Sequence, residues 1–334
     1  MRLFVLENAP TAMLISCGPL AALRGWGLIS VLVYLMFVFL VSWILTVTRN
    51  LLVRKPKKLI LESITISHYV EKIRWSLDLM GIEYVEEENC GIMGIFFTGL
   101  MVPAIRQGST RVSGSNFILK YLNGKCAHLG EESDKKEATT VSKVAFLRAS
   151  SEAFELEKEF DKMGENIRHF LYTDALNSKN AVSTGLKVWG AYQPTIPLWQ
   201  RLLLRAIIPI LLVFMKTVLK LKKKIARERL VLAKETFKKV DALLSDGRKY
   251  LTATPNPTFV DVTFAALAAP LLIMDGPAYT CGRAIEDSRM TRSMFTDEVL
   301  KEVDAFRASP AGKFALRMYA DHRGVRRTSA ESGK

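Results

Sequence analysis

Between Arg24 and Arg49 the chain carries no charged residue, and the run Trp26–Thr48 (WGLISVLVYLMFVFLVSWILTVT) is apolar nearly throughout. As an α-helix it would extend roughly 35 Å, enough to cross a bilayer core of about 30 Å with some tilt. Trp26 and Trp43 stand toward its two ends, where indole rings favour the membrane–water interface. A cleaved signal peptide is the competing reading. Its apolar region would cover about 7–15 residues and end at a small-residue cleavage site, whereas this run is longer and RNLLVRKPKK follows it. The expectation is therefore one retained, single-pass transmembrane helix over 26–48, behind an N-terminal segment 1–25. Arg49, Arg54, Lys55, Lys57 and Lys58 follow the run, and only Arg2 and Arg24 precede it. Basic flanks stay cytoplasmic, so the body is expected on the cytosolic side of a membrane.

Of the 334 residues, roughly 280 remain for that body, room for one large or two small domains. A hydrophobic content of 49% supplies a packed core and argues against wholesale disorder. The net charge of +14 admits nucleic acid, an acidic lipid surface or small anions as partners. No aromatic–basic interleaving or known module supports nucleic acid. Cys17, Cys90, Cys126 and Cys281 form no CxxC pair and no zinc-spaced Cys/His cluster, so isolated thiols in a reducing compartment are expected, with no metal.

In the body, Lys58–Thr65 has the pattern of a short strand. Ser67 then precedes a helix over His68–Met80, with Val70, Ile73, Leu77 and Met80 at helical spacing and Glu71, Lys72, Arg74 and Asp78 largely off that face. Gly81 ends it. A second strand follows over Ile82–Glu88, then an ambiguous, Gly-broken stretch Cys90–Leu100. Val102–Arg106 and Thr110–Val112 bracket Gln107-Gly108-Ser109 as a hairpin. Ser115 opens a short helix ending near Leu122, and Lys125–Lys136 is a polar linker. The order β-α-β-(α)-β-β-α predicts a mixed α/β layer with a parallel crossover and a closing hairpin. Everything beyond is helical in pattern: 137–163, 226–244, 258–272, 296–308 and 310–322. Thr258 and Asp261 supply a capping box, and Ser309-Pro310 an N-cap with proline at the first helical position. The basic tail 323–334 is expected to be disordered.

The segment ISHYVEKIRWSLDLMGIEYVEE, the pair Val102-Pro103, the S-x-x-I-x-x-Y-L pattern of Ser115, Ile118, Tyr121 and Leu122, the helix TFVDVTFAALAAPLL and the ending AFRASPAGKFALRMYADHR occur in this order. Together, over about residues 58–322, they resemble the glutathione transferases. The resemblance implies an α/β plus all-α architecture: a thioredoxin-like βαβαββα domain over 58–124 and a helical domain over 137–322. It implies that Ser67 donates a hydrogen bond to the sulfur of glutathione, the thiolate then attacking an electrophile. It implies a cis bond before Pro103, so that Val102 pairs with the peptide backbone of glutathione, and a hold on the γ-glutamyl carboxylate by Ser115. On the residues alone, Ser67 and Ser115 are equally well helix caps, and Pro103 a trans edge proline. Where the family usually has Glu, Asp or Gln before that serine, this chain has Gly114, which removes a partner for the ligand's ammonium group.

The expected co-substrate is glutathione, and the expected partners are a small apolar electrophile and membrane lipid, with a homodimer left open. A non-catalytic scaffold of the same fold is the alternative function. Leu198–Leu221 is apolar but interrupted by Arg201, Arg205, Pro209 and Lys216, and its longest uncharged stretch, Ala206–Met215, is too short to span a bilayer. It is either an amphipathic helix on an acidic leaflet or a core helix with a basic end. The anchor carries a prediction about topology. Protease added outside intact vesicles of cytosolic-side-out orientation should digest the chain beyond about Lys58, and complete protection would reverse the assignment.

Overall fold

The computed structural model describes residues 27–48, 55–92, 94, 101–131, 145–147, 150–273 and 290–323. The N-terminal segment, Arg49 and Arg54, Cys17 and Cys281, and most of the stretch before Met101 lie outside the described residues. Helix α1 covers Leu28–Thr48, where the apolar run placed a helix. It exposes Val33, Met36, Phe37, Leu40, Trp43 and Ile44, while Val38 and Ser42 are buried. Among the described residues no single helix is long and apolar enough to cross a membrane, and Met36–Leu45 is a shorter apolar helix. The anchor thus stays an expectation carried by the sequence.

Strand β1 (Leu59–Ile64), helix α2 (His68–Leu79) and strand β2 (Tyr84–Asn89) form the crossover, and β3 (Ala104–Gln107) and β4 (Thr110–Ser113) the hairpin. The sheet order is β2-β1-β3-β4. β1 and β2 are parallel, with Leu59 opposite Tyr84. β3 runs antiparallel to β1, with Leu61 opposite Ile105, and β4 antiparallel to β3. Gly108 at φ +59 makes the hairpin turn, a conformation glycine adopts without steric cost. Helix α3 runs over Ser115–Glu131. It does not stop near Leu122 but continues through Gly124 into the expected linker, since one helical glycine costs only about 1 kcal/mol.

The remaining helices are α4 (Ser151–Asn177), α5 (Ala181–Val188), α6 (Leu198–Val218), α7 (Lys223–Leu244), α8 (Phe259–Leu272), α9 (Asp297–Ala308) and α10 (Pro310–His322). Cap signals located α8 and α10 closely. Asp261 accepts from the backbone N–H of Thr258 and of Leu251, both at 2.7 Å, and Ser309 accepts from Gly312 N–H at 3.1 Å. α4 departs from expectation at its end, and 137–144 of the helix expected over 137–163 lie outside the described residues. It begins at Ser151, capped by Ser150, and runs through Gly164 to Asn177. A Cβ at Gly164 would lie 3.1–3.3 Å from Tyr69, His68 and Leu267 side-chain atoms. The glycine is therefore a notch that lets the start of α2 approach α4, not a helix end.

Two apolar clusters form the core. The larger joins the sheet, α2 and α3 to α4, α7, α8, α9 and α10, with the wholly buried α8 at its centre. The smaller gathers Ile66, Cys90, Ile92 and Trp189 against α5 and α6, and Phe39 of α1 packs on it. α6 fits both sequence readings by face. Trp199, Leu203, Leu204, Ile208, Leu212 and Met215 are buried, whereas Ile210, Val213, Phe214 and Val218 are exposed.

The charged residues of α2 are not on a solvated face. Glu71, Lys72 and Arg74 are all 0% exposed. Arg74 pairs with Glu71 at 2.7 Å and, through Nε, with Glu86 of β2 at 3.0 Å. Arg323, expected in a disordered tail, is buried and pairs with Glu71 at 2.6 Å and Asp78 at 2.9 Å. Removing one member of such a network strands its partners as buried charges. Arg323→Met should therefore lower stability by about 3–5 kcal/mol, read from the shift of the urea-unfolding midpoint.

Candidate functional site

The turn from β1 into α2 places Ser67 at the N-cap, with φ −88 and ψ 114. Its Oγ accepts from Val70 N–H at 3.3 Å. That bond uses an oxygen lone pair and leaves the hydroxyl hydrogen able to donate. The positive end of the α2 dipole adds to a setting that favours an anion. Ser67, His68 and Tyr69 stand on the wall of a cavity of about 250 Å³. The rest of the wall is mainly apolar and comes from the smaller cluster, α6 and α4, including Ile92, Trp189, Phe214, Val218 and Leu171. Arg168 of α4 also reaches it.

The two neighbours of Ser67 are unsuited to proton transfer at neutral pH. Burial, and secondly the charge of Arg168, push the His68 imidazole down to about 3, so it is neutral. The Tyr69 hydroxyl donates to the Asp161 carbonyl at 2.8 Å, and burial pushes its phenol up. Cys90 is a free, buried thiol, raised first by burial and then by Glu88, which fits a packing role.

The other candidate residues form a second group beside the hairpin, away from the wall of this cavity. The Val102–Pro103 bond is cis. Gly114 N–H donates to the Pro103 carbonyl at 2.8 Å, and the Gly114 carbonyl accepts from Ile118 N–H at 3.0 Å. Gly114 is thus the cap of α3 and Ser115 its first helical residue. The Ser115 hydroxyl accepts from Lys72 Nζ at 3.4 Å. The Lys72 ammonium is fully buried and also pairs with Glu157 and, at 2.9 Å, with Asp161 of α4. Lys72 therefore ties the two groups together, as Ser67 and Lys72 share α2. Burial pushes the Asp161 carboxyl up, against the pull of Lys72.

Arg168 and Gly164 were missed at the level of sequence. The available signal was the spacing Glu157, Asp161, Gly164, Arg168, which falls on one face of a helix.

No family model matches the sequence, and no curated protein matches it. Solved structures to which the chain is similar include a glutathione transferase family member from Pseudomonas fluorescens pf-5 with two glutathione bound. The likeness covers 81% of this chain and 97% of that one, at 15% identity and a TM-score of 0.39. Beta-etherase LigF from Sphingobium sp. strain SYK-6 is similar over 78% of this chain and 99% of its own, at 17% identity and a TM-score of 0.39. A glutathione transferase from Pseudomonas putida with one glutathione disulfide bound per subunit is similar over 82% and 96%, at 14% identity and a TM-score of 0.39.

Gly114 has φ +90, and a Cβ there would meet Met101 Cε at 2.9 Å and Phe117 Cδ2 at 3.2 Å. An acidic side chain therefore cannot be placed before Ser115 without strain. Gly114→Asp should cost about 1–3 kcal/mol of stability, measured by urea unfolding, and any gain in ligand affinity has to be read against that loss.

Proposed function

We propose that the chain is a glutathione-binding protein of the transferase type, conjugating the thiolate of glutathione to small apolar electrophiles. The observation that carries this is the position of Ser67. It lies at the positive end of α2, on the wall of the cavity of about 250 Å³, with its hydroxyl hydrogen available. A thiol delivered there would be held as thiolate by that hydrogen bond and the helix end. The mainly apolar wall beyond Ser67 suits the electrophile. Val102, Gly114 and Ser115 would hold the peptide part, with the backbone beside Pro103 serving as an edge for an extended ligand.

Anchorage by α1 belongs to the same reading. Its uncharged sequence and its exposed Val33, Met36, Phe37, Leu40, Trp43 and Ile44 support insertion in lipid, and the basic flank supports a body facing the cytosol. Apolar electrophiles concentrate in bilayers, which makes a membrane-surface location chemically sensible. A scaffold that keeps the fold without conjugation is the second reading. The geometry at Gly114, which leaves no acidic side chain before Ser115, is the observation that favours it.

Ser67→Ala decides between the readings. The lost cap should cost about 0.5–2 kcal/mol, the pKa of the bound thiol should rise, and conjugation at neutral pH should fall. Turnover unchanged by the substitution would reduce Ser67 to a cap. Failure of the folded wild type to be retained on immobilised glutathione would favour the scaffold.

A further inference from the structure

The cavity beside Ser67 has one ionised residue on its described wall, Arg168. His68 is neutral, and the Tyr69 hydroxyl is engaged by the Asp161 carbonyl. Among the described residues Arg168 makes no ion pair and donates no hydrogen bond. Its charge is nonetheless felt at both aromatic neighbours, lowering the pKa of each. A guanidinium at the edge of an apolar wall invites a planar anion, which it can engage in a forked, charge-assisted geometry. Of the acidic groups nearby, Asp161 is paired with Lys72, and Glu165, one turn earlier on α4, is exposed and forms no ion pair with Arg168 among the described residues.

The α6 part of the wall has the other character. Phe214 and Val218 line the cavity and are also 45% and 56% exposed. They continue the exposed apolar stripe of α6 through Ile210 and Val213. The cavity therefore combines a cationic side chain from α4 with an apolar wall that continues onto an exposed apolar surface of α6. We propose that its ligand is an anionic amphiphile, a monocarboxylate with an apolar or aromatic body, whose carboxylate is bound by Arg168 and whose body lies against Trp189, Phe214 and Val218. This rests on taking the cavity as the electrophile's site and narrows that electrophile to carboxylates. Binding of the carboxylate itself does not require glutathione.

The test uses the full chain in neutral-lipid nanodiscs, with empty nanodiscs as the blank. 4-Phenylbutyrate, 4-phenylbutanol and 4-phenylbutylamine are titrated by calorimetry into wild type, Arg168→Gln and Arg168→Lys. Wild type should bind the carboxylate at least about 10-fold tighter than the alcohol, as a hydrogen bond to a charged group allows, and should bind the amine weakest. Arg168→Gln should lose that preference while still binding the alcohol, which shows the cavity intact. Arg168→Lys should retain part of it. Equal affinity of wild type for carboxylate and alcohol, or a preference that survives in Arg168→Gln, would overturn the proposal. Should Arg168→Gln bind none of the three, Arg168→Lys decides: carboxylate preference there upholds the proposal, and its absence overturns it. Glutathione titrated separately into the same samples keeps the outcomes apart. Carboxylate selectivity without glutathione binding would sink the transferase reading and leave the Arg168 site standing.

Discussion

Helix α2 carries the constraint on which the rest of the molecule depends. Three of its charged side chains, Glu71, Lys72 and Arg74, are removed from water altogether. Buried charges are tolerable only when paired and hydrogen-bonded, and each finds its partner on a different part of the chain. Arg74 reaches β2, Lys72 reaches α4, and Glu71 reaches Arg323 beyond α10. One short helix is thereby locked to the sheet, to the first long helix of the helical region and to the end of the last one. A rotation of α2 by one position would break all three links at once, which fixes the direction in which its N-terminus and Ser67 point.

The cavity beside Ser67 lies at the seam this locking creates. Its floor is the β1–α2 turn, and its walls come from α4, α6 and the smaller apolar cluster. The site is consequently shared between the sheet domain and the helices, and neither part could form it alone. The group at Pro103, Gly114 and Ser115 belongs to the sheet and the start of α3, and Lys72 connects it to the acids of α4.

Much of the frame was legible in the sequence. The strands, the Gly108 hairpin and the starts of α2, α8 and α10 followed from alternation, turn chemistry and capping residues, which are local signals. Ser67 and Ser115 were recognisable at helix starts, although only resemblance pointed to a ligand, and the cis bond before Pro103 came from resemblance alone. What was misjudged depends on contacts distant in sequence. The charged side chains of α2 were placed only as lying off its apolar face, because a single sequence does not distinguish a charge facing water from one facing a buried partner. Gly164 looked like a helix end because its reason for being small is the approach of His68 and Tyr69. Arg323 looked like part of a loose tail because Glu71 lies at the other end of the body. Arg168 passed unnoticed because its significance lies in the apolar company it keeps in space.

The spacing of Glu157, Asp161, Gly164 and Arg168 along α4 has a consequence for how the chain can change length. Each residue added to an α-helix turns everything beyond it by about 100°. An insertion or deletion of one residue between Asp161 and Gly164 would keep the acids opposite Lys72 and swing the notch and the guanidinium to other faces, or the reverse. Segments outside the helices can absorb such a change because nothing downstream has to keep phase. Between Glu157 and Arg168 the chain behaves like a ruled shaft with three fittings, so substitutions are open to it but changes of length are not.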